Sequence, residues 1–346
     1  MPDSLVKVSF GPLTIIRLNR PEVINSLNLE MIKLIHKALE HARTMKECRC
    51  VMFEGAGEKG FCAGGDIRSL WDYVKCRHYE EPEIFFHEEY DLDLYIHEYP
   101  LPVIVLADGI TMGGGIGIAA GADIIIATER TLMAMPETRI GFFPDVGATG
   151  WLNMKCPPGY PGFIALTGYE MYGFESVRLG LSTHFLNSSS IERIKDYLLN
   201  IAPKLPKTIG KEYPMLESIF DSFSVQDIPA QPEMDAWVAE HFTLQNSLPH
   251  LIESLRSCSS GKEYCEEFLE DINERSPTSL KLTYALLKRN FGHTLKEVFR
   301  TERKAASFMI RQPDFSEGIR ARIIDRDDTP VWNPAKINDV IDIPSF

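Results

Sequence analysis

Two acidic residues, Glu137 and Asp145, stand eight positions apart in the largely apolar segment MPETRIGFFPDVG. Two glycine-rich turns precede them, FCAGGD at 61–66 and GITMGGGIGIAAGA at 109–122. Glycine lets a main-chain N–H come close to a ligand oxygen, because no Cβ blocks the approach and positive φ carries no penalty. Two such turns from separate stretches can aim two donors at one developing oxyanion, and a carboxylate held beside that oxygen can act as base or nucleophile. One oxyanion donor is worth roughly 3–4 kcal/mol. Each acid also has a plainer reading, Glu137 as a capping or solvated glutamate after a proline and Asp145 as ordinary turn chemistry. Their position just after two glycine turns is what singles them out.

Other candidates are weaker. Glu88 and Glu89 fall on the run FFHEEYDLDLY, and one of them faces inward if the aromatic residues do. Cys62 is a nucleophile by type, yet no histidine lies near it in sequence, and a small buried cysteine beside a glycine turn is the better reading. There is no GxSxG elbow. A dinucleotide fingerprint is also absent: GGGIGIAAG opens on three glycines, lies beyond a strand and lacks the ribose-binding acid expected about 20 residues later.

The elements that must position these groups follow from periodicity. VKVSF (6–10) and LTIIRLN (13–19) flank Gly11-Pro12 and read as a hairpin. Asn28 reads as the N-cap of a helix with Met31, Leu34, Ile35, Ala38 and Leu39 on one face. CVMFEG (50–55) is the next strand and delivers the chain to the first glycine turn. A second round has a helix through Phe85, Phe86, Tyr90, Leu94 and Ile96, a strand at 103–107, and Gly113 to Gly115 opening a short buried helix. Strands at 123–129 and 131–135 follow. The repeating unit is strand, strand, helix, which is an α/β pattern. From about residue 190 the texture becomes helical: IERIKDYLLNIA follows Ser188, Ser189 and Ser190, and further helices read at 233–242, 261–273, 278–290 and 294–310. The proline-rich stretch 202–232 reads as loop. The expected division is a core at 1–200 and a mainly helical region at 201–346.

Composition excludes several classes. A chain of 346 residues, 44% hydrophobic and 25% charged, has globular composition and can bury a full core without staples. A net charge of −13 with no run of lysines or arginines argues against a nucleic-acid surface. The longest apolar stretch, around 116–127, is interrupted by Asp123 and short of the roughly 20 residues a membrane span requires. Seven cysteines, an odd count without CxxC or zinc spacing, read as buried reduced thiols, with no metal site. The first residues carry neither a secretory signal nor an arginine-rich presequence, so the expectation is a cytoplasmic protein, or a mitochondrial matrix protein whose leader has been removed.

With these residues in hand, the chain resembles the crotonase, or enoyl-CoA hydratase/isomerase, superfamily. LNRPEVINSLNLEM, GAGEKGFCAGGDI, GITMGGGIGIAAGADIIIATE and PETRIGFFPDVGATGWL fit its pattern in order. FFHEEY, MPETRIGFFPDVG, SPTSLKLTYALLKRN and DFSEGIRARIIDRDDTPVWNP are closer to its 3-hydroxyisobutyryl-CoA hydrolase branch, with 200–260 the least matched. The resemblance implies a spiral of strand-strand-helix turns with a helical C-terminal region, and an acyl-CoA substrate. It implies that the N–H groups of Gly65 and Gly114 hold the thioester oxygen, that Glu137 and Asp145 are catalytic, and that Glu89 contacts the substrate. Ile67 and Arg68 would lie along the CoA nucleotide. No metal or redox cofactor is implied, coenzyme A entering only as part of the substrate. Related folds assemble as trimers or pairs of trimers, but the enlarged helical tail could cover the usual interface here, which leaves a homo-oligomer as one option and the oligomeric state open. The family's hydratases carry a second catalytic glutamate where this chain has Gly117. Syn hydration needs two carboxylates to position water and shuttle its proton, which weighs against a hydratase. The resemblance then implies hydrolysis of a short 3-hydroxyacyl-CoA thioester, 3-hydroxyisobutyryl-CoA foremost, in valine breakdown. A hydratase or isomerase of the same fold is the first rival, and a non-catalytic scaffold or RNA-binding member the second.

Overall fold

Short β-branched and aliphatic runs form the strands, labelled here in chain order: β1 Val6–Ser9, β2 Leu13–Leu18, β3 Cys50–Gly55, β4 Gly60–Cys62, β5 Val103–Ala107, β6 Ile110–Met112, β7 Ile124–Ala127, β8 Leu132–Ala134, β9 Met171–Tyr172 and β10 His184–Phe185. The computed structural model describes residues 4–206, 213–258, 261–340 and 343–346. Its chain divides into two compact units, each drawn from three stretches. The first comprises Met1–Gly65, Glu88–Met133 and Met171–Ala230; the second comprises Asp66–His87, Ala134–Glu170 and Gln231–Phe346.

In the first unit, one sheet runs β1-β2-β3-β5-β7-β10 and the other β4-β6-β8-β9. The expected hairpin is there, with Val6 opposite Leu18 and Ser9 opposite Ile15. From β2 to β10 the larger sheet is parallel. β3, β5 and β7 are buried almost end to end, as strands covered on both faces must be. Each round sends one strand to the large sheet and the next to the small one, so β3 and β4, β5 and β6, β7 and β8 stack as successive turns of a spiral. Asn28 caps the helix Leu29–Thr44 as expected, its side chain accepting from Met31 N at 2.9 Å. That helix buries Met31, Ile32, Ile35, Ala38, Leu39 and Ala42, while Leu34 is only half-buried.

Residues 202–232 depart from the loop reading. Pro214 opens a helix, Pro214–Phe223, whose Leu216, Ile219 and Phe220 join Met52, Ile104 and Ile126 of the large sheet in one core cluster with Ile194 and Leu198. Proline at the first helical position has a suitable φ and lacks only an N–H that would be unsatisfied anyway, so here it starts an element instead of breaking one. Positions 207–212 of that stretch lie outside the described residues.

The second unit is helical. Its helices at Pro232–His241, Lys262–Glu274, Pro277–Asn290 and Leu295–Met309 agree with the periodic reading to within one residue or so at each end. One aromatic cluster centres on Phe163, whose ring meets Tyr160, Tyr169, Trp237, Phe242 and Phe268 at centroid distances of 4.6–6.2 Å. The expectation of uniformly reduced cysteines does not hold: Cys258 and Cys265 are joined in a disulfide, while Cys50, Cys62, Cys76 and Cys156 are free thiols. Residues seven apart showed no recognisable spacing; Cys258 follows the helix Leu248–Arg256 and Cys265 lies within Lys262–Glu274. Among the described residues no helix is long and apolar enough to cross a membrane.

Candidate active site

In the first unit the two glycine bends meet. β4 ends at Cys62 and the chain turns through Gly64 at φ +100°, a conformation that penalises any Cβ. Leu27 N–H donates to Gly64 O at 2.8 Å and Ala63 N–H to Ile24 O at 2.9 Å, so the preceding loop braces the turn. That loop is itself tied down by Asn25, whose amide donates to Ala56 O and Gly60 O at 3.0 and 3.1 Å. The second bend leaves β6 and enters the wholly buried helix Gly114–Ala120. An ideal Cβ on Gly64 would stand 3.4 Å from Gly114 N, and one on Gly114 would stand 3.4 Å from Gly65 N. The amides of Gly65 and Gly114 therefore line one small space. The N–H of Gly114 belongs to the first helical turn, where N–H groups have no carbonyl partner within the helix.

Glu89 closes that space. It sits on the helix Glu80–His97 at 2% exposure, whereas Glu88 is only half-buried, so the inward-facing glutamate of the pair is Glu89. A Cβ on Gly114 would collide with Glu89 Oε1 and lie 3.3 Å from its Cδ. A side chain at 114 would thus require the Glu89 carboxylate, which presses against the bend, to move aside. Asp93, one helical turn further, is also fully buried. Burial pushes the Cys62 thiol up to about 12, reinforced by the negative charge of Glu89 and Asp93, which removes it as a nucleophile and agrees with the packing role read from its sequence context.

In the second unit, Glu137 opens the single turn Glu137–Ile140 and is 7% exposed; Asp145 is 5% exposed. The C-terminal segment holds this turn from behind. The helix Pro313–Ile319 approaches so closely that a Cβ on Gly318 would collide with the Ile140 backbone. Ser276 N–H donates to Thr138 O at 3.3 Å, and Ser276 Oγ bonds Asp314 Oδ2 at 2.5 Å. Phe142 stacks on Phe86 at 4.9 Å and contacts Phe315 at 5.1 Å. Also in this unit, Ile67 and Arg68 begin the helix Ile67–Lys75 capped by Asp66, with Ile67 half-buried and Arg68 exposed.

A fourth carboxylate, missed in sequence, organises the Asp145 loop. Glu302 is fully buried and accepts from Gly147 N at 2.6 Å, Thr149 N at 3.1 Å and Thr149 Oγ1 at 2.5 Å. Asn290 Nδ2 in turn donates to Thr149 Oγ1 at 2.7 Å, which commits the hydroxyl proton to Glu302. Burial raises Glu302 to about 8, its three donors pull the other way, and the charge of Asp145 adds to the rise. The signal was available: Val298, Phe299, Glu302, Ala305, Ala306 and Met309 form one buried stripe, and an acid on such a stripe needs dedicated donors.

A strand-strand-helix spiral in which two glycine bends, each offering a backbone amide, stand side by side defines the class of α/β fold seen here. The sequence profile described as enoyl-CoA hydratase/isomerase matches residues 13–343, and the chain belongs to that family. It is 38% identical over 333 residues to the mitochondrial 3-hydroxyisobutyryl-CoA hydrolase of Mus musculus, covering 95% of this chain and 84% of that one. It is 37% identical over 338 residues to the Xenopus tropicalis protein of the same name, covering 96% and 85%. Among solved structures it is similar to a carnitinyl-CoA dehydratase from Mycobacterium thermoresistibile, with a TM-score of 0.85 at 29% identity over 98% of this chain and 94% of that one.

Proposed function

We propose that this chain hydrolyses a short 3-hydroxyacyl-CoA thioester, 3-hydroxyisobutyryl-CoA foremost, to the free hydroxy acid and coenzyme A. The observation that carries this is the similarity, over nearly the whole chain, to proteins named for that reaction. Gly117 supports it, since the position lacks the second acid that hydration needs.

In this reading the Gly65 and Gly114 amides bind the thioester oxygen and stabilise the tetrahedral oxyanion. Support comes from their apposition in the first unit. Glu137 supplies the attacking group by one of two routes. Its carboxylate adds to the carbonyl, CoA thiolate leaves, and water cleaves the resulting anhydride; or it takes a proton from the water that adds directly. Both routes end in carboxylate, thiol and regenerated Glu137. Asp145 tunes Glu137 or passes a proton to the departing thiolate, Glu89 binds the substrate hydroxyl, and Ile67 and Arg68 run along the CoA nucleotide through their backbone. No metal or redox cofactor enters the scheme. The relatives are named mitochondrial, which supports work in the matrix.

The test is Glu137→Gln. Release of free thiol from 3-hydroxyisobutyryl-CoA should fall by about three orders of magnitude or more while binding of the CoA ester persists; retained turnover would discard the assignment. A second reading, hydration or its reverse, is favoured by the dehydratase title of the structural neighbour. It requires an unsaturated acyl-CoA to lose its double-bond absorbance with no free thiol appearing.

A further inference from the structure

Away from the carboxylates, three helices of the second unit bring together residues that sequence spacing did not connect. His241 ends the helix Pro232–His241, Cys258 follows the helix Leu248–Arg256, and Cys265 lies in the first turns of Lys262–Glu274. One ligand atom from each lies within 4.8 Å of the other two. His241 is 6% exposed and Cys265 2%.

The hydrogen bonds around His241 define which nitrogen is available. Ser254 Oγ gives its proton to Leu251 O at 2.8 Å, so at 3.2 Å from His241 Nδ1 it can only accept. Nδ1 therefore carries the ring proton, and Nε2 presents a lone pair. That Nε2 is buried and has no hydrogen-bond partner among the described residues. A buried acceptor left without a donor calls for an explanation, and a ring held by its other nitrogen is how metal-binding histidines are oriented. Trp237 Nε1–H donates to Cys265 Sγ at 3.3 Å, a contact that favours the thiolate.

From this we propose that His241 Nε2 and the reduced thiolates of Cys258 and Cys265 form a zinc site that alternates with the Cys258–Cys265 disulfide. Two sulfurs and an imidazole are a soft donor set that selects zinc over magnesium or calcium, and three protein ligands leave the fourth tetrahedral position to water. Around zinc the two sulfurs stand about 3.8 Å apart, as bond lengths of roughly 2.3 Å dictate, so metal and disulfide exclude one another. The exchange balances with a low-molecular-weight disulfide such as glutathione disulfide as oxidant. The two zinc-bound thiolates lose two electrons and form the S–S bond, zinc departs, and the oxidant takes two electrons and two protons to become two thiols.

The experiment uses the full chain, reduced, stripped of metal and titrated with zinc chloride, with bound metal counted by elemental analysis. One zinc per chain is expected, and cobalt(II) in its place should show thiolate-to-metal charge-transfer absorption. Glutathione disulfide should release the zinc with loss of two thiols per chain. Cys258→Ser, at a half-buried loop position, and His241→Gln should each weaken zinc binding by about 100-fold or more, with unchanged far-ultraviolet circular dichroism. Failure of the reduced chain to bind zinc stoichiometrically would overturn the proposal. So would zinc binding unaffected by either substitution or by oxidation, or a cobalt complex without sulfur charge transfer.

Discussion

Replacing Gly114 by alanine tests the paired bends most directly. The added methyl would overlap Glu89 Oε1, lie 3.3 Å from Glu89 Cδ, and stand 3.4 Å from Gly65 N. To restore van der Waals separation the buried carboxylate must retreat by about 1 Å. Overpacking of that kind costs about 1–3 kcal/mol of stability. The catalytic effect should be larger than a loss of stability can explain, because the methyl enters the space that an oxygen bound to both amides would fill. Loss of one oxyanion donor costs about 10²–10³ in kcat, or about 2.7–4 kcal/mol. Thiol release from 3-hydroxyisobutyryl-CoA, followed with a chromogenic thiol reagent at saturating substrate, should therefore fall by at least about 10²-fold. Circular dichroism and a thermal melt on the same sample separate this from unfolding. A folded Gly114→Ala protein turning over within threefold of the parent would refute the role of the bends.

Glu302 makes stability depend on pH. Its carboxyl titrates near 8 in the folded protein against 4.5 unexposed to burial, so between those values the folded state holds a proton that the unfolded state has lost. The stabilisation is complete below about 4.5 and disappears as pH rises through about 8, at about 1.4 kcal/mol per pH unit between them. Glu302→Gln should remove that slope in denaturant melts from pH 5.5 to 7.5; parallel curves for parent and variant would contradict it. Cys62, with its thiol pushed up to about 12, should resist iodoacetamide at pH 8 in the native protein while exposed Cys76 reacts, as peptide mass mapping would show. Glu89→Ala should erode the preference for hydroxylated acyl groups, and an unchanged ratio against the deoxy acyl-CoA would remove Glu89 from that role.

Much of the fold was legible because its signals are local. Asn28 before an apolar stripe, alternating residues around Gly11-Pro12, and unbroken aliphatic runs at β3, β5 and β7 each specify backbone geometry within a few residues of themselves. The glycine turns were legible for the same reason, since positive φ and a missing Cβ are properties of the residue type. Pro214 shows the limit: the residue signals both breaks and starts, and burial of Leu216 and Phe220 against the large sheet chose the start.

What a side chain faces is settled by distant chain. That Glu89 and not Glu88 presses on Gly114, that Glu302 reaches back more than 150 positions to Gly147 and Thr149, and that His241 meets Cys258 and Cys265 depend on how helices pack. Periodicity assigns each residue a face of its own element, but hydrogen bonds and titration belong to pairs. The sequence alone therefore named the acids and the turns of the candidate site, and the folded chain decided which amides share a space and which carboxylate holds the Asp145 loop.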